Sequence, residues 1–323
     1  MTSNPFNSLI LSQIDTTSTN IKLIRSAYQI AYFCHPKEPK KLAKVFLRSI
    51  FKASISFNWY QFIANSPLLN QLVNVNKQLA EKPHRHQLRL DACIKLRYQL
   101  LINHYTTLNH LFDAQFLAEI LLTNGIVIGE ILVPTEERFS LSLEYGGNES
   151  KEGELTISLR LIGQPILANI RFSLLTTATG VTLYIGGLQG AQIENSKEYV
   201  SKACKLLSGL SPSRLVLETC LAFACQIGAT QILAVSDTQQ ISNKKSNKHL
   251  SYDKYWQDIG GVPTDTGDYQ LPLLIARKLR EETPTKRRAK YRRQHAHLDD
   301  IHSACAETIP TKFKEVEQCK KYY

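Results

Sequence analysis

The spacing of apolar residues changes near Gly125, and this change constrains the fold more than any other feature of the chain. From about Ser18 to Asn124, apolar residues recur every three or four positions, which is typical of amphipathic helices that pack on one another. After Gly125 the period falls to two, and glycine-containing breaks separate short segments rich in Ile, Val, Leu, Phe and Thr. Such segments predict antiparallel strands joined by turns. They are residues 126–133, 138–145, 154–162 and 166–176.

The elements after these strands predict a parallel crossover. Gly180 opens a fifth candidate strand, Val181–Ile185, and an amphipathic helix follows at about Ser213–Gln226. Residues 231–236 are typical of a buried strand, and a helix followed by such a strand favours a parallel connection. We therefore predict an α+β protein with a mixed sheet. Its predicted regions are a helical region (1–124), an α/β domain (125–280) and a basic helical tail (281–323).

Composition leads us to expect a soluble, cytoplasmic protein without a transmembrane segment. Hydrophobic residues make up 43% and charged residues 21% of the 323 residues, as in ordinary globular proteins. The longest apolar stretch, Ala114–Val133, contains Glu119 and Glu130 and would cross a membrane poorly. The amino terminus lacks the features of a secretion signal. The seven cysteines are an odd number without a C-x-x-C motif, so we expect thiols.

Positive charge is concentrated near the carboxyl terminus. The chain carries 39 Lys or Arg and 28 Asp or Glu, a net charge of +11. Nine of the cations and two of the acids lie between Arg277 and Arg293, which gives this segment +7. It could be a solvated helix, or it could bind an anionic membrane surface or lipid. We do not expect nucleic acid, because no known nucleic-acid-binding motif accompanies the charge. The candidate anion-binding residues are Lys286, Arg287, Arg288, Arg292 and Arg293.

An ordered series of short motifs resembles the VirK/YbjX family of bacterial proteins over about residues 85–300. The resemblance implies a Gram-negative protein linked to virulence, to the cell envelope and to resistance against cationic antimicrobial peptides, but it implies no defined reaction. The motifs are Arg97–Leu108, Glu152–Leu155, Tyr184–Gly190, Gly209–Pro212, Ala224–Gly228, Ala234–Ser236, Tyr252–Trp256, Gly260–Gly261, Leu271–Pro272 and Lys286–Arg293.

The order of elements is also similar to the GNAT acyltransferase fold. In that fold acyl-CoA lies between two parallel strands that part, and its pyrophosphate rests on N–H groups at the start of the intervening helix. Glycines would let the backbone approach such a ligand closely. Alternatively they form only a bulge and turns, since the usual GNAT pyrophosphate loop is absent. The candidate acyl-CoA-binding residues are Gly186, Gly187, Gly190, Gly209, Pro212 and Ser213.

The candidate catalytic residues are Tyr252, Asp253 and Gln189. A tyrosine at this place in a GNAT enzyme protonates the leaving thiolate, and a phenol with a pKa of about 10 suits a thiolate of pKa about 8–9. The alternative is that the aromatic cluster only packs, with Asp253 near the helix start. We expect no metal site, because His295, Asp299 and His302 share one helix face without further ligands.

Two functions follow from these observations. The first is an acyl-CoA-dependent acyltransferase that acts in envelope adaptation. The second is a non-catalytic adaptor that binds anionic lipid or a protein partner through its basic tail.

Overall fold

A computed structural model of the protein describes residues 20–147, 150–242, 251–277 and 283–310. Its amino-terminal part is helical, as the three- and four-residue spacing predicts. The helices are α1 (Asn20–Cys34), α2 (Pro39–Phe51), α3 (Ala53–Asn65), α4 (Pro67–Val75), a 3₁₀ helix (Lys77–His84), α5 (Ile94–Leu111) and α6 (Ala114–Leu122).

Side chains at the helix starts explain where two of these elements begin. Pro67 occupies the first turn of α4, and the Ser66 hydroxyl accepts a hydrogen bond from the backbone N–H of Leu69 at 3.4 Å. The Asp113 carboxylate accepts a hydrogen bond from the N–H of Phe116 at 2.8 Å and so caps α6. Local capping therefore sets these boundaries before tertiary packing is considered.

A mixed sheet follows, and its described strands have the spatial order β1-β2-β3-β4-β5-β6-β8-β7. The first five strands pair antiparallel with their sequence neighbours, whereas β5 and β6 pair in parallel. Helices α7 and α8 form the crossover between β5 and β6. The strands are β1 (Ile126–Leu132), β2 (Arg138–Tyr145), β3 (Leu155–Leu161), β4 (Ile166–Thr177), β5 (Gly180–Gly190), β6 (Ala229–Val235), β7 (Val262–Pro263) and β8 (Asp268–Leu271). The later helices are α7 (Ser196–Leu206), α8 (Pro212–Gln226), α9 (Tyr252–Asp258) and α10 (Thr285–Thr308).

One face of the sheet is apolar and is covered by helices. The alternating side chains of β2 and β3 include Leu141 and Ile157, which are fully buried. Phe223 of α8 packs on Phe172 of β4 with ring centroids 5.5 Å apart. Helix α10 packs on β1, where the Cys305 thiol lies 3.5 Å from the carbonyl oxygen of Ile128. The prediction of an α+β fold with a mixed sheet and a basic helix near the end is confirmed.

The cysteines differ from the expectation at one position. Within the described residues, five cysteines are free thiols and Cys225 is disulfide-bonded, so the expectation of thiols throughout is wrong.

No helix among the described residues is both long enough and apolar enough to cross a lipid bilayer. Of the predicted basic tail, residues 311–323 lie outside the described part of the chain.

Candidate functional site

Strand β6 ends at Val235, whereas β5 runs on to Gly190, which leaves a gap beside the carboxyl end of β5. Their pairing ends at Ile185 and Ala234, while β5 continues to Gly190 along β4. One edge of β5 is therefore left without a strand neighbour from β6, and its backbone groups need other partners. This is the place where the similarity to acyltransferases predicts a ligand.

Tyr252 fills this gap. Its hydroxyl accepts a hydrogen bond from the N–H of Leu188 at 2.6 Å and donates one to the carbonyl oxygen of the same residue at 2.8 Å. The ring packs beside Trp256 with centroids 5.4 Å apart. Burial, with a smaller contribution from Glu152, raises the pKa of the phenol. The hydroxyl therefore keeps its proton and substitutes for a strand partner, which leaves it no free position for a thiolate.

Asp253 has a local structural contact. Its carboxylate accepts a hydrogen bond from the N–H of Asp237 at 2.9 Å. In return, Asp237 accepts hydrogen bonds from the N–H of Tyr252 at 2.7 Å and from the Ser251 hydroxyl at 2.6 Å. The Ser251 hydroxyl also accepts a bond from the N–H of Lys254 and caps α9. These bonds fix the start of α9, which in turn holds Tyr252 against β5.

Glu152 occupies the space that two of the predicted glycines leave. A Cβ atom on Gly186 would overlap the Glu152 carbonyl oxygen, and one on Gly187 would overlap its carboxylate. Gln189 donates a hydrogen bond to the Glu152 carboxylate at 2.6 Å. Around Gly190, by contrast, a Cβ atom would meet nothing within 4 Å. The close backbone approach that Gly186 and Gly187 permit is thus made by the protein's own chain.

The Glu152 carboxylate is buried and has three side-chain partners. Besides Gln189, it accepts a hydrogen bond from the Ser242 hydroxyl and lies 3.5 Å from a guanidinium nitrogen of Arg171. Burial raises its pKa, and Arg171 and Gln189 oppose that rise. A buried carboxylate with a raised pKa is a candidate proton acceptor. Its oxygens are, however, already engaged within the protein.

The start of α8, where an anion cradle is predicted, is partly occupied by the protein's own groups. The Ser211 hydroxyl accepts the hydrogen bond of the Arg214 N–H at 3.2 Å, and Pro212 in the first turn has no N–H to offer. Ser213 is half-buried at this helix start. Gly209 has a φ angle of +87° and lies against the Lys290 side chain, not against open space. These contacts, with the filled gap at β5, leave less room for an acyl-CoA than the similarity implies, and acyl-CoA binding here stays a prediction.

A second buried polar centre joins the helical region to the sheet. The Lys82 ammonium lies 2.6 Å from both carboxylate oxygens of Glu154. Gln87 and the hydroxyl of Tyr105 also donate to this carboxylate. Glu154 belongs to a motif of the resemblance, but its partners come from the 3₁₀ helix, from α5 and from the segment between them. No group of three metal-binding side chains is found among the described residues.

The predicted tail residues meet a second set of cations on α7. Arg293 donates to the Ser208 hydroxyl at 3.2 Å and Gln294 donates to the Ser208 carbonyl oxygen at 2.9 Å. A groove of about 410 Å³ lies at this junction and is lined by Lys205, Lys290 and Arg293. A neighbouring groove of about 400 Å³ shares Ser201 and Lys205 with it. We call the cations that line one groove or the other the basic face. They are Lys197, Lys202, Lys205, Lys290 and Arg293.

The other predicted tail residues are exposed beside the basic face. Arg288 donates to the carbonyl oxygen of Thr283 at 3.1 Å. Within the described residues, no ion pair joins the segment from Lys286 to Arg293 to a carboxylate. The lysines of α7 were not predicted as site residues. In the sequence, the only sign of these lysines is their number in one short helix. Their proximity to α10 depends on tertiary packing and has no local signal.

Comparison with known proteins identifies the family. A family model described as "Protein of unknown function (DUF535)" matches residues 35–307. The chain belongs to this family. It is 32% identical to "Uncharacterized protein YbjX" of Escherichia coli (strain K12) over 294 residues, which are 89% of this chain and 88% of that protein. The resemblance to VirK/YbjX proteins is thereby confirmed.

More distant relatives share parts of the chain. The protein is 28% identical to "Membrane protein LapB" of Mannheimia haemolytica over 208 residues, which are 64% of this chain and 86% of that protein. An uncharacterised protein of Haemophilus influenzae (strain ATCC 51907 / DSM 11121 / KW20 / Rd) is 33% identical over 133 residues, 40% of this chain and 44% of the relative. No solved structure matches the chain.

Proposed function

We propose that this DUF535 protein binds anionic membrane surfaces as a non-catalytic adaptor, through the basic face of α7 and α10. The observation that carries the proposal is the continuous pair of grooves at this face. Five cationic side chains line these shallow, open grooves, and Glu198 is the one carboxylate among the lining residues. Lys202 also pairs with Glu137 at 2.5 Å, which leaves Lys197, Lys205, Lys290 and Arg293 to meet an anionic surface. Each Lys or Arg near an anionic bilayer contributes about 1 kcal/mol to binding. The four cations other than Lys202 would therefore give useful affinity without an apolar insertion.

The basic face has a fixed geometry, which a freely solvated tail would lack. Leu298, Ile301 and Cys305 anchor the second half of α10 in the core. The bonds of Arg293 and Gln294 to Ser208 then hold the first half against the α7–α8 turn. Gly209 leaves room there for the Lys290 side chain. Cations that are held in place lose less conformational entropy on binding than cations on a flexible segment.

Two further observations agree with a peripheral mode of binding. The Mannheimia relative is named a membrane protein, whereas no described helix of this chain can span a bilayer. A cytoplasmic protein that docks on the anionic inner leaflet would reconcile the two. Such docking would also give the link to envelope adaptation and peptide resistance that the family resemblance implies.

Vesicle co-sedimentation tests the proposal. We expect the protein to bind phosphatidylglycerol vesicles and not phosphatidylcholine vesicles, with affinity that falls steeply as salt is added. Lys290→Gln with Arg293→Gln should weaken binding about 30-fold, from two lost contributions of about 1 kcal/mol each. Lys95→Gln with Lys254→Gln removes the same charge from exposed positions elsewhere and is the matched control. Equal losses in the two variants would show that net charge alone, and not the basic face, drives binding.

Acyl transfer stays a prediction, and the geometry favours it less. In its support, Gly187, Gln189 and Tyr252 converge near the buried carboxylate of Glu152. Against it, the strand gap and the helix start are both occupied by the protein's own side chains. Titration with acetyl-CoA and a long-chain acyl-CoA, followed by thermal shift, tests it directly. Stabilisation by either ligand would restore the enzymatic hypothesis.

A further inference from the structure

Helices α1 and α2 present large apolar side chains to solvent, on a surface that we call the aromatic face. Its residues are between 46% and 77% exposed: Ile24, Tyr28, Tyr32, Leu47 and Phe51. The ring of Tyr28 stacks on that of Tyr32 at 6.3 Å and meets the ring of Phe46 on α2 at 6.3 Å. Rings of α1 and α2 therefore contact each other across the two helices. Clusters of this kind mark a surface that contacts something other than water.

Cations flank the aromatic face along α2. The stretch from Lys37 to Lys52 contains six Lys or Arg and one acid, Glu38. That acid pairs with Lys41 at 2.6 Å. The lysines are exposed, so they form a positively charged rim beside the rings. The partner of this surface must therefore accept both apolar rings and positive charge.

The combination of exposed rings and positive charge favours an anionic bilayer over a second copy of the chain as the partner. A second copy of the chain would place one cationic rim against another in a two-fold contact, and like charges would oppose that association. An anionic bilayer accepts both features, because aromatic rings settle at the headgroup level while long Lys side chains reach the phosphates. We propose that the aromatic face inserts into the interfacial layer of an anionic lipid bilayer, with α1 and α2 lying along the membrane surface.

This contact is independent of the basic face described above and differs from it physically. The basic face binds by charge alone, so salt should abolish its contribution. The aromatic face adds buried apolar area, whose contribution persists at high salt. Each surface can therefore be tested while the other is removed or screened, and failure of one leaves the other standing.

Fluorescence of Tyr28→Trp tests insertion directly. Trp59 and Trp256 are fully buried and give a constant background. We expect the new tryptophan to shift to shorter wavelength on phosphatidylglycerol vesicles at high salt, and to be quenched by brominated acyl chains. The control is Val262→Trp, which replaces an exposed apolar residue on β7 and should show neither effect.

Two further substitutions measure the contribution of the face. Leu47→Ser and Phe51→Ser should each weaken vesicle partitioning about tenfold at high salt. Thermal unfolding should be unchanged, since both side chains are exposed. No wavelength shift of Tyr28→Trp on anionic vesicles would overturn the proposal. A concentration-dependent dimer in sedimentation velocity that Phe51→Ser dissociates would overturn it in favour of a second copy.

Discussion

Removal of Lys82 should destabilise the protein strongly, because it leaves a buried carboxylate without its cation. The Lys82 and Glu154 side chains are 2% and 1% exposed, and the ammonium contacts both carboxylate oxygens at 2.6 Å. In Lys82→Met, Glu154 would retain the hydrogen bonds from Gln87 and Tyr105 but no positive partner. Breaking one side of a buried ion pair costs about 3–5 kcal/mol. That is a large fraction of the ~5–15 kcal/mol by which domains are stable.

The paired replacement separates loss of a partner from loss of the ion pair itself. In Lys82→Met with Glu154→Leu no buried charge is left, so we expect this variant to be more stable than Lys82→Met alone. The coupling energy of the double-mutant cycle should exceed about 2 kcal/mol. Urea unfolding followed by circular dichroism gives the free energy of unfolding of all four proteins in the cycle.

The contribution of the Lys82–Glu154 pair to stability should also change at alkaline pH. Burial is the largest single influence and lowers the pKa of Lys82, but Glu154 and Tyr145 together outweigh it and raise the pKa.

The sign of this pH effect follows from that raised pKa. The pair contributes fully below the pKa of Lys82 in the unfolded chain, about 10.4. Its contribution is lost as pH rises through the higher pKa of the folded protein. The control is Lys41→Met, which breaks an ion pair of the same 2.6 Å length whose side chains are 58% and 51% exposed. It should leave the urea midpoint unchanged. If Lys82→Met were as mild as Lys41→Met, burial would not be the determinant of the effect.

Three other predictions concern the strand gap and the buried histidine. Tyr252→Phe removes the hydroxyl that bonds to both backbone groups of Leu188 and should cost about 1–3 kcal/mol in urea unfolding. Tyr255→Phe removes a buried hydroxyl that finds no partner among the described residues and should cost nothing. Gly187→Ala pushes a methyl group into the buried carboxylate and should lower the melting temperature, while Gly190→Ala faces open space and should not. Burial lowers the pKa of His104 to about 4, so stability should fall as pH drops from about 6.5 towards 4, and His104→Gln should flatten that pH dependence; an unchanged slope would contradict the assignment.

Local signals in the sequence were sufficient to predict the element types. The change of period at Gly125 separates helices from strands, and the strand–helix–strand order predicts the parallel pairing of β5 with β6. These features depend on neighbours in the chain, so one sequence carries them. The basic helix could be predicted for the same reason, since its charges are consecutive. The motif Tyr184–Gly190 is glycine-rich, and two of its glycines, Gly186 and Gly187, accommodate Glu152.

The contacts at the candidate site could not be predicted, because they join distant segments. The hydroxyl of Tyr252 meets Leu188, which is 64 residues away. Glu152 meets Gln189 across 37 residues. From the sequence alone, a tyrosine or a glutamate at these positions is equally compatible with a catalytic role and with a structural role. Only the partner atoms show that both support the strand end.

The placement of some cations at helix starts agrees with the proposal that they bind an anionic surface. The positive end of a helix dipole lies at its amino terminus, so cations in the first turn are unfavourable. Helix α10 begins with Lys286, Arg287 and Arg288 and has no acid in its first turn. Helix α2 likewise places Lys40 and Lys41 in its first turn. Stability alone would favour acids at both places. A bound anionic surface would instead meet the cations and the positive helix ends together, so the same feature that weakens each isolated helix would strengthen the membrane contact.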